Sequence, residues 1–148
     1  MESMEARMVK LYARNNNHVA LHAIPGHFAT SHSHINFYID MTSLKTRANE
    51  AQEVAKSLAG DYVNSTVVDT IVCMDGTEVV GAYLAQEFEK RGFRNTNLHD
   101  TIYVVTPEYN ANNQLIFRDN TIPAIKGKNV ILLLATTTTG LTVRRSLE

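Results

Sequence analysis

Three short apolar runs constrain the fold of this chain more than any other feature of its sequence. They read VVDTIVC at 67–73, TIYVVT at 101–106 and VILLLA at 130–135. Strands buried on both faces of a parallel sheet give such continuous runs, whereas half-exposed strands alternate apolar with polar residues. We therefore predict that each run forms a strand of one buried sheet.

Helical patterns separate or precede these runs. Residues 42–60 repeat apolar side chains at helical spacing, and residues 75–92 do the same after the first strand. Asp75 and Glu78 stand three positions apart, which is the spacing of a capping box with Asp75 as N-cap. Strands that alternate with helices predict an α/β fold with a mostly parallel sheet flanked by helices.

The segments outside this alternation predict smaller elements. Residues 1–14 place Met and Leu at helical spacing, which predicts a short N-terminal helix. Residues 18–41 hold β-branched and aromatic residues interrupted by a Pro-Gly pair, which predicts an irregular β-hairpin. The polar segment 107–128 predicts a long insertion with a small β-ribbon at QLIF.

Composition excludes several classes of protein. The 148 residues carry 14 Lys and Arg against 15 Asp and Glu, so no basic surplus indicates nucleic-acid binding. No apolar stretch has the length of a membrane span, and the N-terminus lacks the apolar core of a signal peptide. The single cysteine, Cys73, precludes an intrachain disulfide. We therefore expect one soluble, cytoplasmic domain that binds neither nucleic acid nor membranes.

A threonine-rich turn, ATTTTGLT at 135–142, follows the last apolar run. Backbone N–H groups where a strand passes into a helix lack intrahelical partners, threonine hydroxyls add donors, and Gly140 lets the backbone approach a ligand. These features suit an anion such as phosphate. The alternative is a β-branched strand end that runs into a tight turn, and spacing alone does not separate the two.

These residues, with others upstream, resemble the type I phosphoribosyltransferases. VILLLATTTTGLT is similar to the family's apolar strand followed by Thr-Thr-Gly and Ser or Thr, and IVCMDGTEVVGAYLAQEF is similar to its strand, pyrophosphate loop and helix. GHFATSHSHINFYIDM is similar to the N-terminal hood of the orotate branch. The resemblance divides the single domain, residues 1–148, into an N-terminal helix and hood at 1–42 and an α/β core at 43–148. Because the family fold continues with further strands, this core is expected to be incomplete at its C-terminus.

The resemblance also implies the residues of a site. Those that would cradle the 5-phosphate of phosphoribosyl pyrophosphate (PRPP) are Thr137, Thr138, Thr139, Gly140, Leu141 and Thr142. Those that would face its pyrophosphate are Met74, Asp75, Gly76 and Thr77. Those of the base-binding hood are Phe28, His32, His34 and Tyr38.

The implied reaction breaks the bond from ribose C1 to pyrophosphate while a nucleobase nitrogen attacks C1. In the family Mg²⁺ neutralises the leaving group, so Mg²⁺ is the implied cofactor, and the family is usually dimeric. The resemblance therefore predicts a glycosyltransferase of pyrimidine nucleotide metabolism that acts on PRPP as a homodimer. The sequence identifies no catalytic residue and no protein metal site.

Three places depart from the family pattern. Leu-Ala at 134–135 replaces the two acidic residues that hold the ribose hydroxyls, and Val-Thr at 105–106 replaces a basic pair. Ser31 and Ser33 replace a lysine and a glycine of the orotate hood. The loss of the acidic pair favours an alternative function, a non-catalytic sensor that keeps the phosphate cradle and binds a sugar phosphate or nucleotide.

Three other features have more than one interpretation. His27, His32 and His34 could hold a metal, line a substrate-binding hood or occupy ordinary polar strand positions. Asp75 and Glu78 fit helix capping, acid–base chemistry or Mg²⁺ coordination. A nucleophilic Cys73 would need an activating base that spacing does not identify, so a buried strand cysteine is the other interpretation.

Overall fold

Strands and helices alternate through the core of the structure, a computed structural model that describes residues 3–31, 33–62, 66–112, 114–137 and 139–147. The strands are β1 (Val9–Tyr12), β2 (Ala20–Ala29), β3 (His34–Asp40), β4 (Thr70–Cys73), β5 (Tyr103–Val105), β6 (Glu108–Tyr109), β7 (Leu115–Ile116) and β8 (Val130–Leu133). The helices are α1 (Thr42–Thr46), α2 (Ala48–Asp61), α3 (Glu78–Lys90) and α4 (Leu141–Leu147), with 3₁₀ turns at Glu5–Arg7 and Ile122–Ala124.

The three predicted apolar runs form one parallel sheet in the order β5-β4-β8. Thr70 of the middle strand β4 pairs with Tyr103 of β5 on one side and with Val130 of β8 on the other. All four residues of β4 are buried, as expected for the middle strand of a sheet covered on both faces. The predicted α/β fold class is confirmed.

The other described sheets are antiparallel, so the prediction of a mostly parallel sheet holds only for the core. β1, β2 and β3 form a three-stranded antiparallel sheet, which we call the hood sheet, and β6 with β7 forms a two-stranded ribbon. Only four residues, 30–33, connect β2 to β3. A link this short can join antiparallel strands but not parallel ones, which need a long crossover.

The predicted N-terminal helix is wrong. Only Glu5–Arg7 form a 3₁₀ turn, and the following residues enter the hood sheet as β1, with Val9 opposite Ala23 and Tyr12 opposite Ala20. Local helical spacing gave the wrong answer because pairing with the next strand, β2, overrides intrinsic propensity.

The predicted helices form, with changes at their ends. The helix expected at 42–60 is divided into α1 and α2, because Arg47 has an extended backbone (φ −84°, ψ 118°) between them. The N-cap of α3 is Thr77, and no side chain caps this helix by a hydrogen bond. The capping box with Asp75 is therefore wrong, since Asp75 has a φ of 55° and lies in the preceding turn.

The main core lies between the parallel sheet and the helices α2 and α3. Ile71 and Cys73 share one face of β4 and belong to a single buried cluster with Leu84 and Phe88 of α3. Gly81 lets α3 approach the strand closely, because a Cβ at this position would overlap the Sγ of Cys73. No helix in the described ranges is long and apolar enough to span a membrane.

A buried carboxylate, Asp69, joins the amino ends of the three parallel strands. It accepts hydrogen bonds from the backbone N–H of Thr96, and from the backbone N–H and Nδ2 of Asn129 at 2.8 Å each. Its carbonyl accepts hydrogen bonds from the N–H of Tyr103 (3.0 Å) and the Nδ2 of Asn97 (2.8 Å). Burial raises the pKa of Asp69, but the hydrogen bonds to its carboxylate outweigh burial and lower the pKa to about 2.

We predict that Asp69→Asn destabilises the protein at pH 7 and that the loss shrinks in acid. The folded pKa of about 2 lies below the unfolded value of 3.8, so Asp69 stabilises the fold above pH 4 and loses this contribution as the pH falls toward 2. The amide would turn donors toward the donors of Thr96 or Asn129. We expect a loss of about 2 kcal/mol at pH 7, measured by urea unfolding.

The matched control is Asp119→Asn, which changes an exposed aspartate. This variant should stay within about 0.5 kcal/mol of the unchanged protein at every pH. Equal stability of the Asp69→Asn variant and the unchanged protein at pH 7 would show that Asp69 does not anchor the strands.

Candidate functional site

A cavity of about 520 Å³ lies where the hood sheet meets the segment after β8. The hood sheet and the residue after it contribute one wall, and the beginning of the threonine-rich turn contributes the other. The described residues that line it are Leu21, Thr30, Ile35, Phe37, Tyr38, Ile39, Met41, Ala135, Thr136 and Thr137. The fold therefore places two segments of the predicted site, distant in sequence, around one space.

The walls of this cavity are apolar and aromatic, with hydroxyl groups as their polar atoms. None of the described lining residues carries a charge. Phe37 and Tyr38 are both exposed, at 53% and 45%, so their rings are accessible to a ligand. Ligand pockets commonly combine apolar walls with a few polar groups in this way.

The turns after β4 and β8 are tied together at the carboxyl edge of the parallel sheet. The N–H of Met74 donates to the carbonyl of Leu133 at 2.9 Å. The buried hydroxyl of Thr77 lies 2.7 Å from the carbonyl of Met74 and 3.2 Å from that of Leu133. Ligands of open α/β sheets bind at this edge, so the predicted pyrophosphate loop and the threonine-rich turn meet where such a site is expected.

Asp75 and Gly76 form a tight turn between β4 and α3. Their φ angles are 55° and 75°, and the N–H of Thr77 closes the turn on the carbonyl of Met74 at 3.2 Å. Positive φ at two successive positions suits Asp-Gly and defines a turn of type I′. The turn leaves both Asp75 and Gly76 exposed to solvent.

Lys45 of α1 brings a positive charge to this turn. Its Nζ donates to the carbonyl of Asp75 at 2.9 Å, and a Cβ at Gly76 would lie 3.7 Å from the same Nζ. The described residues include no carboxylate in ion-pair contact with Lys45. Sequence reasoning missed this residue, because the contact joins positions 30 apart and no local pattern marks it.

The β6–β7 ribbon lies near the same turn. Burial and the negative charge of Asp75 both raise the pKa of Tyr109, which stands on β6. On the preceding segment, Thr106 Oγ1 lies 3.4 Å from Glu78 Oε1 at the start of α3. The long insertion therefore reaches the predicted pyrophosphate loop.

The predicted phosphate residues that the structure describes lie on the cavity wall, in the turn that follows it and in the first turn of α4. Thr137 lines the cavity, Thr139 is exposed, and Gly140 has a φ of 75° with open space around its Cα. Leu141 and Thr142 form the first turn of α4. Thr138 lies outside the described residues.

The predicted hood residues do not all face the cavity. Tyr38 lines it, and the ring of Phe28 packs against Tyr38 with centroids 5.7 Å apart. His34 instead contacts His27, with its Nδ1 2.9 Å from the Nε2 of His27. His32 lies outside the described residues.

Of the residues in the two turns, one carboxylate could bind Mg²⁺. Asp75 is the acidic residue of the pyrophosphate loop, and Leu134 and Ala135 supply no carboxylate at the other turn. No group of three potential metal ligands occurs in the described part of the chain. Mg²⁺ is often held by one or two carboxylates together with substrate phosphates, so Asp75 would be its protein ligand here.

Comparison of the chain with protein-family models, with curated proteins and with solved structures finds no match.

Cys73 lies beside the site but is not activated. Burial, and secondarily the negative charge of Glu78, raise the pKa of its thiol to about 11. The thiolate is the nucleophilic form of cysteine, so this thiol is largely unreactive at neutral pH.

We predict that a thiol-specific disulfide reagent labels Cys73 at pH 8 at least about a hundredfold more slowly in the folded protein than in urea. Because the chain has one cysteine, the unfolded chain is its own control. Equal rates in the two states would show that the thiol is accessible and that the fold does not raise its pKa.

Proposed function

We propose that this chain is a phosphoribosyltransferase-like protein of the orotate type, which binds the phosphorylated ribose of PRPP or of a nucleotide and transfers ribose 5-phosphate to a nucleobase. The observation that carries the proposal is the cavity between the hood sheet and residues 135–137. The resemblance in sequence assigns the base to one of these walls and the ribose phosphate to the other.

The phosphate would bind at Thr137–Thr142. The hydroxyls of Thr136 and Thr137 on the cavity wall offer donors to phosphate oxygens. Gly140 has a positive φ and no side chain, so a phosphate can approach the backbone there. The pyrophosphate would bind at the adjacent Met74–Thr77 turn, where Lys45 supplies a positive charge.

During transfer, the pyrophosphate turn would have to stabilise the negative charge of the leaving group. As the bond from C1 to pyrophosphate breaks, negative charge grows on the leaving group, and fixed positive charge beside it lowers the barrier. Mg²⁺, when bound, would supply further neutralisation there. Lys45 would hold the pyrophosphate, and the hydroxyls of Thr136 and Thr137 would orient the ribose phosphate.

The uncharged walls of the cavity limit which acceptor base can bind there. The described walls carry no positive charge that could pair with a carboxylate on the base. Ser31 and Ser33 stand where the orotate hood has a lysine and a glycine. We therefore propose a base without a carboxylate rather than orotate itself, bound against Phe37 and Tyr38.

The second candidate function is a non-catalytic sensor of sugar phosphates or nucleotides. It is favoured by Leu134 and Ala135, which offer no side-chain acceptors to the ribose hydroxyls. Losing two charge-assisted hydrogen bonds would cost roughly 3–6 kcal/mol, or about a hundredfold to ten-thousandfold in affinity or rate. Measuring pyrophosphate release from PRPP with a nucleobase present separates the two functions.

The remaining proposals rest on the resemblance alone. They are a homodimer, a cytoplasmic location and a place in pyrimidine nucleotide metabolism.

We predict that Gly140→Val abolishes binding of ribose 5-phosphate. A β-branched side chain at positive φ strains the turn by about 1–2 kcal/mol and occupies the approach to the phosphate. The measurement is calorimetric titration of ribose 5-phosphate into each protein, with thermal melting in parallel.

The matched control is Gly127→Val, since Gly127 has a φ of 71° and equally open surroundings. Both variants should lose similar stability, but only Gly140→Val should lose binding. Equal binding by both variants, or no binding by the unchanged protein, would contradict the proposed phosphate site.

We predict that Lys45→Met weakens pyrophosphate binding about tenfold to a hundredfold, the effect of losing one charge-assisted hydrogen bond. Ribose 5-phosphate should bind Lys45→Met within about twofold of the unchanged protein, because its phosphate occupies the other turn. Lys45→Arg should retain most of the pyrophosphate affinity.

The control for the Lys45 experiment is Lys56→Met, which removes a lysine paired with Glu53 on α2. Titrations of all variants at one ionic strength keep screening constant. An equal loss for both ligands, or no loss for pyrophosphate, would remove Lys45 from the site.

A further inference from the structure

Two exposed imidazoles meet across the β2–β3 ladder. The Nε2 of His27 lies 2.9 Å from the Nδ1 of His34, and the ring centroids are 4.9 Å apart with an angle of 35° between the planes. His34 pairs with Ala29, two residues after His27, so the histidines are diagonal neighbours on one face of the hood sheet. Diagonal pairs lie within reach of aromatic and other long side chains.

The two facing nitrogens are 2.9 Å apart because they share a hydrogen bond, and two ligands of one metal ion lie at a similar separation. Imidazole nitrogens bound at about 2.0–2.1 Å are separated by about 2.9 Å with a right angle at the metal and by about 3.4 Å with a tetrahedral angle, so the pair is close enough for either geometry. A right angle is characteristic of tetragonal Cu²⁺ and Ni²⁺ sites. We propose that His27 and His34 bind a divalent late transition-metal ion of this type.

The protonation of the pair is compatible with this site. Without metal, one ring donates its N–H to the other ring. Both facing nitrogens become ligands when that proton moves to the far nitrogen of its own ring, which leaves both rings neutral.

The backbone around the pair is fixed by hydrogen bonds. Arg7 Nη1 donates to the carbonyl of Pro25 at 3.2 Å, at the start of the irregular stretch of β2 between Pro25 and Phe28 that includes His27. At the other end, the N–H of Thr30 donates to the carbonyl of Ser33 at 2.7 Å and closes the link between the strands. Because the strands are already held in place, metal binding would have to restrict the motion of the two imidazole rings but not of the two strands.

The site is open and separate from the cavity. Neither histidine is among the described residues that line the cavity, so this inference does not depend on the proposed function. Within the described ranges no third histidine, cysteine or carboxylate completes a group of three. Water or a donor atom of another molecule would fill the remaining coordination positions.

The test is calorimetric titration of Ni²⁺ at pH 7.5, in a non-coordinating buffer, into the unchanged protein and into His27→Ala and His34→Ala. We expect one strong equivalent per chain and at least a tenfold loss of affinity in each variant. The matched controls, His18→Ala and His99→Ala, change exposed histidines elsewhere and should stay within about twofold of the unchanged protein. Affinities equal in all five proteins would overturn the proposal.

A second measurement keeps the proposal testable if a variant fails to fold. Cu²⁺ bound to the unchanged protein at one equivalent should show coupling to two imidazole nitrogens by electron paramagnetic resonance. Coupling to a single nitrogen would overturn the paired site.

Discussion

The buried carboxylate of Asp69 is the constraint on which the rest of the core depends. Parallel strands are joined by long crossovers, so no short turn fixes their relative positions. In this chain Asp69 helps to fix the relative positions of the strands. It accepts hydrogen bonds from Thr96, in the segment before β5, and from Asn129, the residue before β8. Its own carbonyl then receives the N–H of Tyr103 at the start of β5. With the amino ends held in one place, the parallel registers bring the opposite ends of β4 and β8 to the same edge.

That edge determines what chemistry the molecule can support. Thr77 bridges the carbonyls of Met74 and Leu133, so the turns after β4 and β8 are held side by side. The hood sheet closes the space beyond the second turn and adds an uncharged wall with exposed aromatic rings. Lys45 supplies positive charge beside the first turn. The proposed ligand, a phosphorylated ribose with a base, has an anionic end and an uncharged planar end that would suit this distribution.

The sequence predicted those parts of the molecule whose signals are local. The apolar runs predicted all three core strands, and helical spacing predicted α2 and α3, because burial on both faces or on one stripe leaves a direct pattern. It did not predict β1, because Met and Leu at helical spacing give no sign that these residues pair with β2. It assigned the cap of α3 to Asp75, because the spacing of a capping box does not reveal a preceding turn with positive φ. The contact of Lys45 with Asp75 and the nitrogen–nitrogen distance of His27 and His34 are tertiary facts, which residue types alone could not supply.

We propose above all that the cavity between the hood sheet and the threonine-rich turn holds a phosphorylated ribose. A crystal structure with ribose 5-phosphate bound tests it most directly. We expect the phosphate at residues 137–142 and the ribose in the cavity beside Phe37 and Tyr38. Ribose 5-phosphate bound elsewhere, for example in the polar groove lined by Asn16, Glu53 and Lys56, would contradict it, as would an empty cavity at saturating ligand.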